Sequence, residues 1–584
     1  MNRKKQRMSP QSMIAWGFLI LMGAVVGLSF IQEARDTAQA RQQAEVAETA
    51  AASTTIVEIA SSNTKQNWMD AVAAQFNAEN HTLPSGDRIE VRVSHVLSGG
   101  SQQAILSGSL QPTVWSPGEY SWVESANQTW RDRTGRPLVP DACPQTVNAP
   151  SGIAMWRPMA EALGWPDTPV GWADLLALAD SETGWAELGH PEWGEFKFGH
   201  VHPDYSNVGL LMMTSLAYYA AGKTDGLTPD DVYSGAVEDA FRQLELNTWH
   251  YGLQSRDLLS LMTQRGPAYL HAVTTSEAET LRTNAEQTGQ LRFPLAFIFP
   301  ADGTFWSQHP YCILNGEWVS ADQREAAGIF RDYLLAPEQQ AMAVDSYLRP
   351  VDEQAELHAP IALEQGTDPR VTMDSVPQLE SPSADAANAV RDVFHETKRP
   401  ATIVLVIDTS GSMGGDKMTN AAESARNFIS RMSDRDEVYV LGFGTTPYWV
   451  GEGGPVAAVG ETMAESVGGV FADGNTALHD AICMAADRVE ELRTQSEADT
   501  PHLFGIVLLS DGADRGSVRS ENFMFTTCLP DGESVEGVRV YTIAYGADAN
   551  LDLMTRIANR TNGRAFEGNP ENIERIYTAI SAEQ

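Results

Sequence analysis

The stretch IVLVIDTSGSM, from Ile403 to Met413, decides the fold of the C-terminal part of this chain. Its uninterrupted apolar run is typical of a strand that is buried on both faces, as strands of parallel sheets are. The run ends on Asp408, and a buried carboxylate destabilises a fold unless it is paired or binds a metal. Because hydroxyl residues follow directly, the stretch predicts a polar site at the end of a central strand.

Strand and helix patterns alternate along the whole of residues 400–584. The strand patterns are ATIVLVID, EVYVLGFG, LFGIVLLSDG and VRVYTIAYG, and helical patterns lie between them and at 551–561. This alternation predicts a doubly wound α/β domain over residues 400–584.

A second apolar strand ends on Asp511, and Thr476 lies in a loop between the two strands. Two carboxylates with nearby hydroxyls form a hard oxygen site that suits Mg²⁺, with Mn²⁺ or Ca²⁺ as alternatives. The predicted metal ligands are Asp408, Ser410, Ser412, Thr476 and Asp511. Two other interpretations stay open: Asp408 only caps the following helix, or the metal is purely structural.

The pattern Asp408-x-Ser410-x-Ser412, followed by Thr476 and Asp511, resembles the metal-ion-dependent adhesion site (MIDAS) of von Willebrand factor type A (VWA) domains. The resemblance implies a Rossmann-like fold in which the three hydroxyls contact the ion directly. It also implies that the two carboxylates act directly or through water. One coordination position would remain open for a carboxylate of a protein partner.

The region 54–350 begins with a β-α-β-α-β pattern in which each strand ends in small polar residues that open a helix. Such positions bind anions and polar ligands, because the first N–H groups of a helix have no intrahelical partner. Simple capping by serine is the alternative interpretation. The predicted cleft residues are Ser61, Ser62, Ser101, Ser116, Ser206 and Asn207.

The stretches FGHVHPDYSNVG, FIFPADGTF and LLAPEQQAMAVDSYLRP resemble those of bacterial extracellular solute-binding proteins of the two-lobed periplasmic class. The resemblance covers about residues 54–350. It implies two α/β lobes hinged around a cleft for a small solute, with the chain crossing between lobes near 150 and returning near 300. A proline-rich connector at 351–399, with a short helix near 386–395, leads to the C-terminal domain.

The N-terminal segment predicts a membrane anchor. A basic tail at 1–12 precedes an uncharged stretch at 13–31, which at 1.5 Å per residue spans about 28 Å, close to the hydrocarbon thickness. The positive charges place the tail in the cytoplasm and the remaining chain in the periplasm or outside the cell, with 32–53 as a spacer. The alternative is a signal peptide cleaved at Ala38-Gln39-Ala40.

Composition limits the partners and the chemistry. With 77 acidic and 40 basic residues the net charge is −37, which argues against sequence-independent nucleic-acid binding and against docking on anionic lipid. Four cysteines fit an exported protein, and the predicted disulfides are Cys143–Cys312 and Cys483–Cys528. Burial of some of these cysteines as small hydrophobic residues is the alternative.

The sequence therefore favours a binding protein over an enzyme, because no Ser-His-Asp set, zinc-protease motif or phosphate-binding loop stands out. The first hypothesis is an anchored binding protein whose C-terminal domain grips a protein partner through a metal, with the N-terminal module sensing a solute. The second is a solute-capture component that docks onto a membrane permease.

Overall fold

The computed structural model describes residues 54–351, 357–495, 502–529, 538–546, 549–570 and 572–582. The predicted anchor at 13–31, its basic tail, the spacer and the alternative cleavage box lie outside these residues. Within the described ranges, no helix is both long and apolar enough to cross a membrane.

Within the described residues, three sheets are formed by the following strands. They are β1 Thr54–Ser61, β2 Arg88–His95, β3 Val114–Ser116, β4 Ala149–Trp156, β5 Phe198–Val201, β6 Thr248–Gly252, β7 Ala272–Ser276, β8 Leu295–Ile298, β9 Phe305–Ser307, β10 Cys312–Ile313, β11 Ala401–Asp408, β12 Glu437–Phe443, β13 Pro447–Trp449, β14 Gly454–Pro455, β15 Leu503–Ser510, β16 Arg539–Tyr545 and β17 Ala565–Gly568.

The helices cover the faces of these sheets. The α-helices are Gln66–Glu79, Ser98–Ser107, Tyr120–Thr134, Arg157–Ala162, Trp172–Asp180, Asn207–Ala221, Pro229–Val232, Gly235–Leu246, Ser255–Arg265, Glu277–Glu286, Ala321–Leu334, Pro337–Asp345, Ala384–Thr397, Asp416–Ile429, Val456–Gly468, Leu478–Gln495, Glu521–Phe523, Leu551–Arg560 and Ile573–Ala582, and a π-helix spans Met524–Cys528.

The first sheet has the order β10-β3-β1-β2, with β1 parallel to both β2 and β3. We call this sheet and its helices the first lobe. The second sheet, in the order β6-β5-β7-β4-β8 with β9 beside β4, forms the second lobe. The chain enters the second lobe at β4 and re-enters the first at β10, so the sheet of the first lobe is built from separated parts of the sequence, while the second sheet uses the consecutive strands β4 to β9.

The third sheet has the order β13-β12-β11-β15-β16-β17, and β11 lies between β12 and β15 in parallel register. Side chains of β11 alternate between the two faces. Ile403, Leu405 and Ile407 join one apolar core, while Val404 and Val406 join the core on the opposite face. Helices cover both faces, so the predicted α/β class is confirmed.

Both predicted disulfides are present. Cys143 bonds Cys312 of β10, with a Cα–Cα distance of 4.8 Å, and thereby ties the first lobe to the segment that returns to it. Cys483 bonds Cys528 at 5.0 Å and joins the helix Leu478–Gln495 to the π-helix. The described residues contain no free cysteine.

Candidate metal centre and interlobe cleft

Asp408 lies at the end of β11 and is fully buried. The backbone N–H of Ser410 donates to its Oδ1 at 2.8 Å, and the hydroxyl of Ser510 donates to its Oδ2. Burial raises the pKa of the Asp408 carboxyl, and the nearby charge of Asp511 adds to this effect. Among the described residues no cation forms an ion pair with Asp408, so its charge is met by hydrogen bonds alone.

A line of hydroxyls connects Asp408 with the neighbouring strand β15. Ser410 Oγ and Ser412 Oγ lie 3.0 Å apart, and Ser412 Oγ donates to Asp511 Oδ1 at 2.7 Å. Asp511 follows the last residue of β15, and it is buried. The carboxyl ends of two adjacent parallel strands therefore bring both predicted carboxylates to one place.

Thr476 reaches the same edge through its loop. Asp473 N donates to Thr409 O at 2.7 Å, and Gly411 N donates to Gly474 O at 3.0 Å, which holds the loop against the segment after β11. The Thr476 side chain is buried, and its Oγ1 lies 4.0 Å from where a Cβ of Gly512 would stand. The structure thus brings all five predicted ligands together.

Lys417 is a member of this site that the sequence analysis missed. It lies in the first turn of the helix Asp416–Ile429, and its Nζ is 2.5 Å from Asp511 Oδ2. Lys417 lies nine residues after Asp408, and this spacing alone does not indicate that it belongs to the site. It reaches the site because the turn at 411–415 folds the chain back over the end of the strand. Ser510, which bonds Asp408, was likewise missed because it reads as the last residue of a buried strand.

The donor set fits a hard divalent cation. The two carboxylates and three hydroxyls are all oxygen donors, which Mg²⁺ prefers. The described ranges contain no group of three or more His, Cys, Asp or Glu side chains that could hold a metal ion, so a cation at this site would depend on the hydroxyls as well as on the two carboxylates. A cation here would offset the buried charge of Asp408, which hydrogen bonds alone now satisfy.

The predicted cleft residues separate into two groups. Ser62, Ser206 and Asn207 line a small cavity of about 40 Å³ between the lobes. Ser61, Ser101 and Ser116 do not line it, because their hydroxyls donate to the backbone carbonyls of Ser62, Ser98 and Pro310. The lobes contact each other beside this cavity: Asn63 Nδ2 donates to Gln254 Oε1 at 2.8 Å, and Trp122 Nε1 donates to Asn207 Oδ1 at 2.9 Å.

Four helices begin at this cavity, two from each lobe. They are the helical segments that start at Asn63, Ser98, Asn207 and Ser255. Their first N–H groups and aligned dipoles favour an anion or an electronegative oxygen. Glu279 and Arg256 also line the cavity and pair at 3.4 Å.

The helix Ala384–Thr397, which we call the strap helix, covers the junction of the lobes. Its Arg391 guanidinium lies 4.8 Å from the ring of Trp122 in the first lobe and 3.8 Å from Asp204 in the second. His395 also bonds Asp204, at 2.9 Å. The apolar side of the strap helix joins an apolar core that contains residues of both lobes, so both lobes contact one helix.

The strap helix leads directly into β11. Arg435, from the loop before β12, donates to the carbonyls of His395, Glu396 and Lys398 at the end of the strap helix. Further contacts join the second lobe to the third-sheet domain: Arg265 donates to Asn562 and to Gly563 O, and Arg564 pairs with Asp257 at 3.2 Å.

Comparison with known families assigns both parts of the chain. The model of the bacterial extracellular solute-binding protein matches residues 57–349, and that of the von Willebrand factor type A domain matches residues 402–578. The chain belongs to the bacterial extracellular solute-binding proteins and carries a VWA domain after the solute-binding domain. Both predicted resemblances are confirmed, and membership of an extracellular family indicates an exported protein.

Curated relatives match in part. An uncharacterized protein of Mycobacterium tuberculosis, Rv1836c, is 22% identical over 60% of this chain and 50% of its own length. Inter-alpha-trypsin inhibitor heavy chain H4 of Homo sapiens is 30% identical over 29% of this chain and 18% of its own length. An uncharacterized protein of Synechocystis, sll0103, is 25% identical over 29% and 38%. The chain thus spans half or less of each relative.

Solved structures are similar to each part. The periplasmic binding protein AfuA of Actinobacillus pleuropneumoniae covers 59% of this chain and 97% of its own, at 14% identity and a TM-score of 0.40. A von Willebrand factor type A protein of Catenulispora acidiphila covers 32% and 42%, at 19% identity and a TM-score of 0.27.

Proposed function

We propose that this protein is an anchored, exported binding protein whose VWA domain grips a protein partner through a divalent cation. The observation that carries the proposal is the convergence of two carboxylates and three hydroxyls at the end of β11 and β15. Mg²⁺ is the proposed ion, and a carboxylate of the partner would complete its coordination.

The solute-binding domain is proposed to sense a small polar or anionic solute, because four helix starts line its cavity. Hydrogen bonds between the lobes cross this cleft, so entry of a solute requires the lobes to separate. Because the strap helix contacts both lobes and continues into β11, separation of the lobes would displace the strand that bears Asp408. Solute and partner binding would then be coupled through this helix.

The anchor at 13–31 is proposed to hold the protein in the cytoplasmic membrane, with the domains at 54–350 and 400–584 in the periplasm. Two disulfides support an oxidising compartment. A solute-capture component that docks onto a permease is the second candidate, and the family match over residues 57–349 favours it.

A pull-down from an envelope extract of the source organism tests the grip. Residues 54–584 are immobilised, and retention in Mg²⁺ is compared with retention in EDTA and with Asp408→Ala in Mg²⁺. Asp487→Ala is the matched control, because Asp487 is an exposed aspartate of the same domain, on the helix Leu478–Gln495.

A protein retained by wild type and Asp487→Ala in Mg²⁺, but lost with EDTA and with Asp408→Ala, supports the proposal and identifies the partner. Equal retention in all samples would mean that the partner does not bind through the metal, which would then have a purely structural role. Retention of a membrane permease would favour the second candidate.

A further inference from the structure

Ser62, which lines the interlobe cavity, forms a polar pair with the buried Lys65. Ser62 precedes the 3-10 turn Asn63–Lys65, which continues into the helix Gln66–Glu79, so the two side chains stand one helical turn apart. Lys65 Nζ lies 2.8 Å from Ser62 Oγ and 2.8 Å from Ser116 O. The Lys65 side chain is fully buried.

No carboxylate forms an ion pair with Lys65 in the part of the chain that the structure describes. Burial therefore lowers the pKa of Lys65 well below its ordinary value. An uncharged amine keeps a lone pair, which can accept the proton of a neighbouring hydroxyl. Lys65 Nζ donates to Ser62 Oγ and to Ser116 O, so the amine is within reach of the proton that Ser62 would lose.

His309 completes the cluster. Its Nδ1 lies 3.0 Å from Ser62 Oγ and 3.3 Å from Lys65 Nζ, and its Nε2 is buried without a hydrogen-bond partner. Its φ of +46° is unusual for a residue with a side chain. Thr146 Oγ1 donates to the His309 carbonyl at 2.7 Å and helps hold this conformation. Strained backbone held by its surroundings is common at functional sites.

Ser62 connects this buried cluster to the cavity, because Ser62 lines the cavity while its hydroxyl contacts Lys65 and His309. Ser62 lines the cavity, as do the first residues of the helices that begin at Ser98, Asn207 and Ser255. Unpaired N–H groups at helix starts stabilise the negative oxygen that forms when a hydroxyl attacks a carbonyl carbon. Ser62 and these helix starts therefore share one cleft, and Lys65 lies next to Ser62.

We propose that Ser62 is a nucleophile that takes the acyl group from a small carboxylic ester entering the opened cleft. Ser62 Oγ forms a bond to the ester carbonyl carbon while its proton passes to Lys65 Nζ. The bond from that carbon to the ester oxygen then breaks, and Lys65 returns the proton to the departing alkoxide. The products are acylated Ser62 and a free alcohol, with no change in oxidation state.

A purely structural role of Lys65 would produce the same hydrogen bonds but no reactivity, so the test measures covalent modification. The whole chain is incubated with p-nitrophenyl acetate or with a fluorophosphonate probe. Intact mass and peptide mapping then locate the adduct. Ser62→Ala and Lys65→Met are compared with Ser424→Ala, a buried serine on the VWA helix Asp416–Ile429.

One adduct on Ser62 is expected in wild type and in Ser424→Ala, none on that residue in Ser62→Ala, and at least 100-fold slower reaction in Lys65→Met. Circular dichroism checks that the variants fold, and Lys65→Gln replaces Lys65→Met if that variant does not. The reaction is repeated in Arg391→Ala, which loosens the closed lobes. Absence of a Ser62 adduct in both wild type and Arg391→Ala overturns the proposal, as does an unchanged rate without Lys65.

Discussion

The buried charge of Asp408 has a measurable consequence for stability. Asp408→Asn keeps an oxygen for the N–H of Ser410 but removes the charge whose burial raises the carboxyl pKa. In EDTA we expect this variant to unfold at a temperature equal to or above that of wild type. Added Mg²⁺ should raise the unfolding temperature of wild type but not that of Asp408→Asn, because a ligand that binds the native state stabilises it.

Differential scanning fluorimetry across a Mg²⁺ titration measures both effects. The control is Asp487→Ala, which should respond to Mg²⁺ as wild type does. An equal rise of the midpoint in Asp408→Asn and wild type would contradict the predicted site.

His202, which packs against the strap helix, makes stability depend on pH. Burial lowers its pKa from 6.5 to about 3 in the folded chain. Between these values the unfolded state binds more protons, so stability falls as the pH drops from about 6.5 towards 3. We expect His202 to lower the free energy of unfolding by about 2 kcal/mol between pH 7 and pH 5.

Urea unfolding of wild type and His202→Asn at pH 7 and pH 5 measures this loss. The difference between the two pH values should be smaller in His202→Asn, although other buried histidines such as His271 still contribute. The same difference in both proteins would show that His202 keeps its ordinary pKa when folded.

At the scale of single residues, the five proposed metal ligands lie at one place in the structure, whereas only three of the six predicted cleft residues line the cavity. Asp408 and Asp511 end apolar strands, and parallel strands bring such ends to one edge whatever the loops do. Lys417 could not be predicted in the same way, since its contact with Asp511 depends on the turn before its helix. Ser101 and Ser116 also follow strands, but their hydroxyls satisfy nearby carbonyls and do not reach the cavity.

Among the helices and strands, the strap helix has the most testable role. Arg391→Ala removes the contact with Trp122 of the first lobe and with Asp204 of the second. We expect the lobes to separate more often, with faster hydrogen exchange at the helix starts around Ser98 and Asn207. Hydrogen–deuterium exchange followed by mass spectrometry measures this opening.

Arg488→Ala is the matched control for this experiment. Arg488 lies over the ring of Tyr439 at 4.9 Å inside the VWA domain, so its loss removes a similar contact without touching the lobes. Unchanged exchange at the cleft in Arg391→Ala would mean that the lobes are held together by their own contacts.

The sequence predicted a short helix in the connector but not its packing. Val390, Val393 and Phe394 form an apolar face that would suit any core. Nothing in the local pattern indicates that this helix lies between the lobes, with Arg391 in contact with Trp122 of the first lobe and Asp204 of the second. Such long-range pairing depends on the assembled lobes, and the first lobe itself forms only when β10 returns to the sheet of β1 to β3.

Across the whole molecule, arginine contacts hold the VWA domain against the second lobe. Arg539 of β16 donates to Trp249 O, and Arg265 donates to Asn562 and Gly563 O. We expect the double variant Arg265→Ala, Arg539→Ala to let the two domains move apart while each stays folded. Small-angle X-ray scattering should then give a larger radius of gyration than wild type.

Arg556→Ala is the control, because Arg556 pairs only with surface carboxylates of its own domain, Glu521 and Asp552, among the contacts described. An unchanged radius in the double variant would assign the arrangement of domains to the strap helix alone. These arginines were not predicted from sequence, since a surface arginine has the same pattern whether or not a second domain covers it.

The strap helix also determines where this protein can be divided. Family boundaries suggest a cut after residue 349, yet the solute-binding domain completes its core with Val390, Val393 and Phe394 from beyond that point. A fragment that ends at 350 would expose an apolar groove to water and would be prone to aggregation. If the VWA domain is exchanged for another module, in evolution or in the laboratory, the chain should therefore be divided after Lys398.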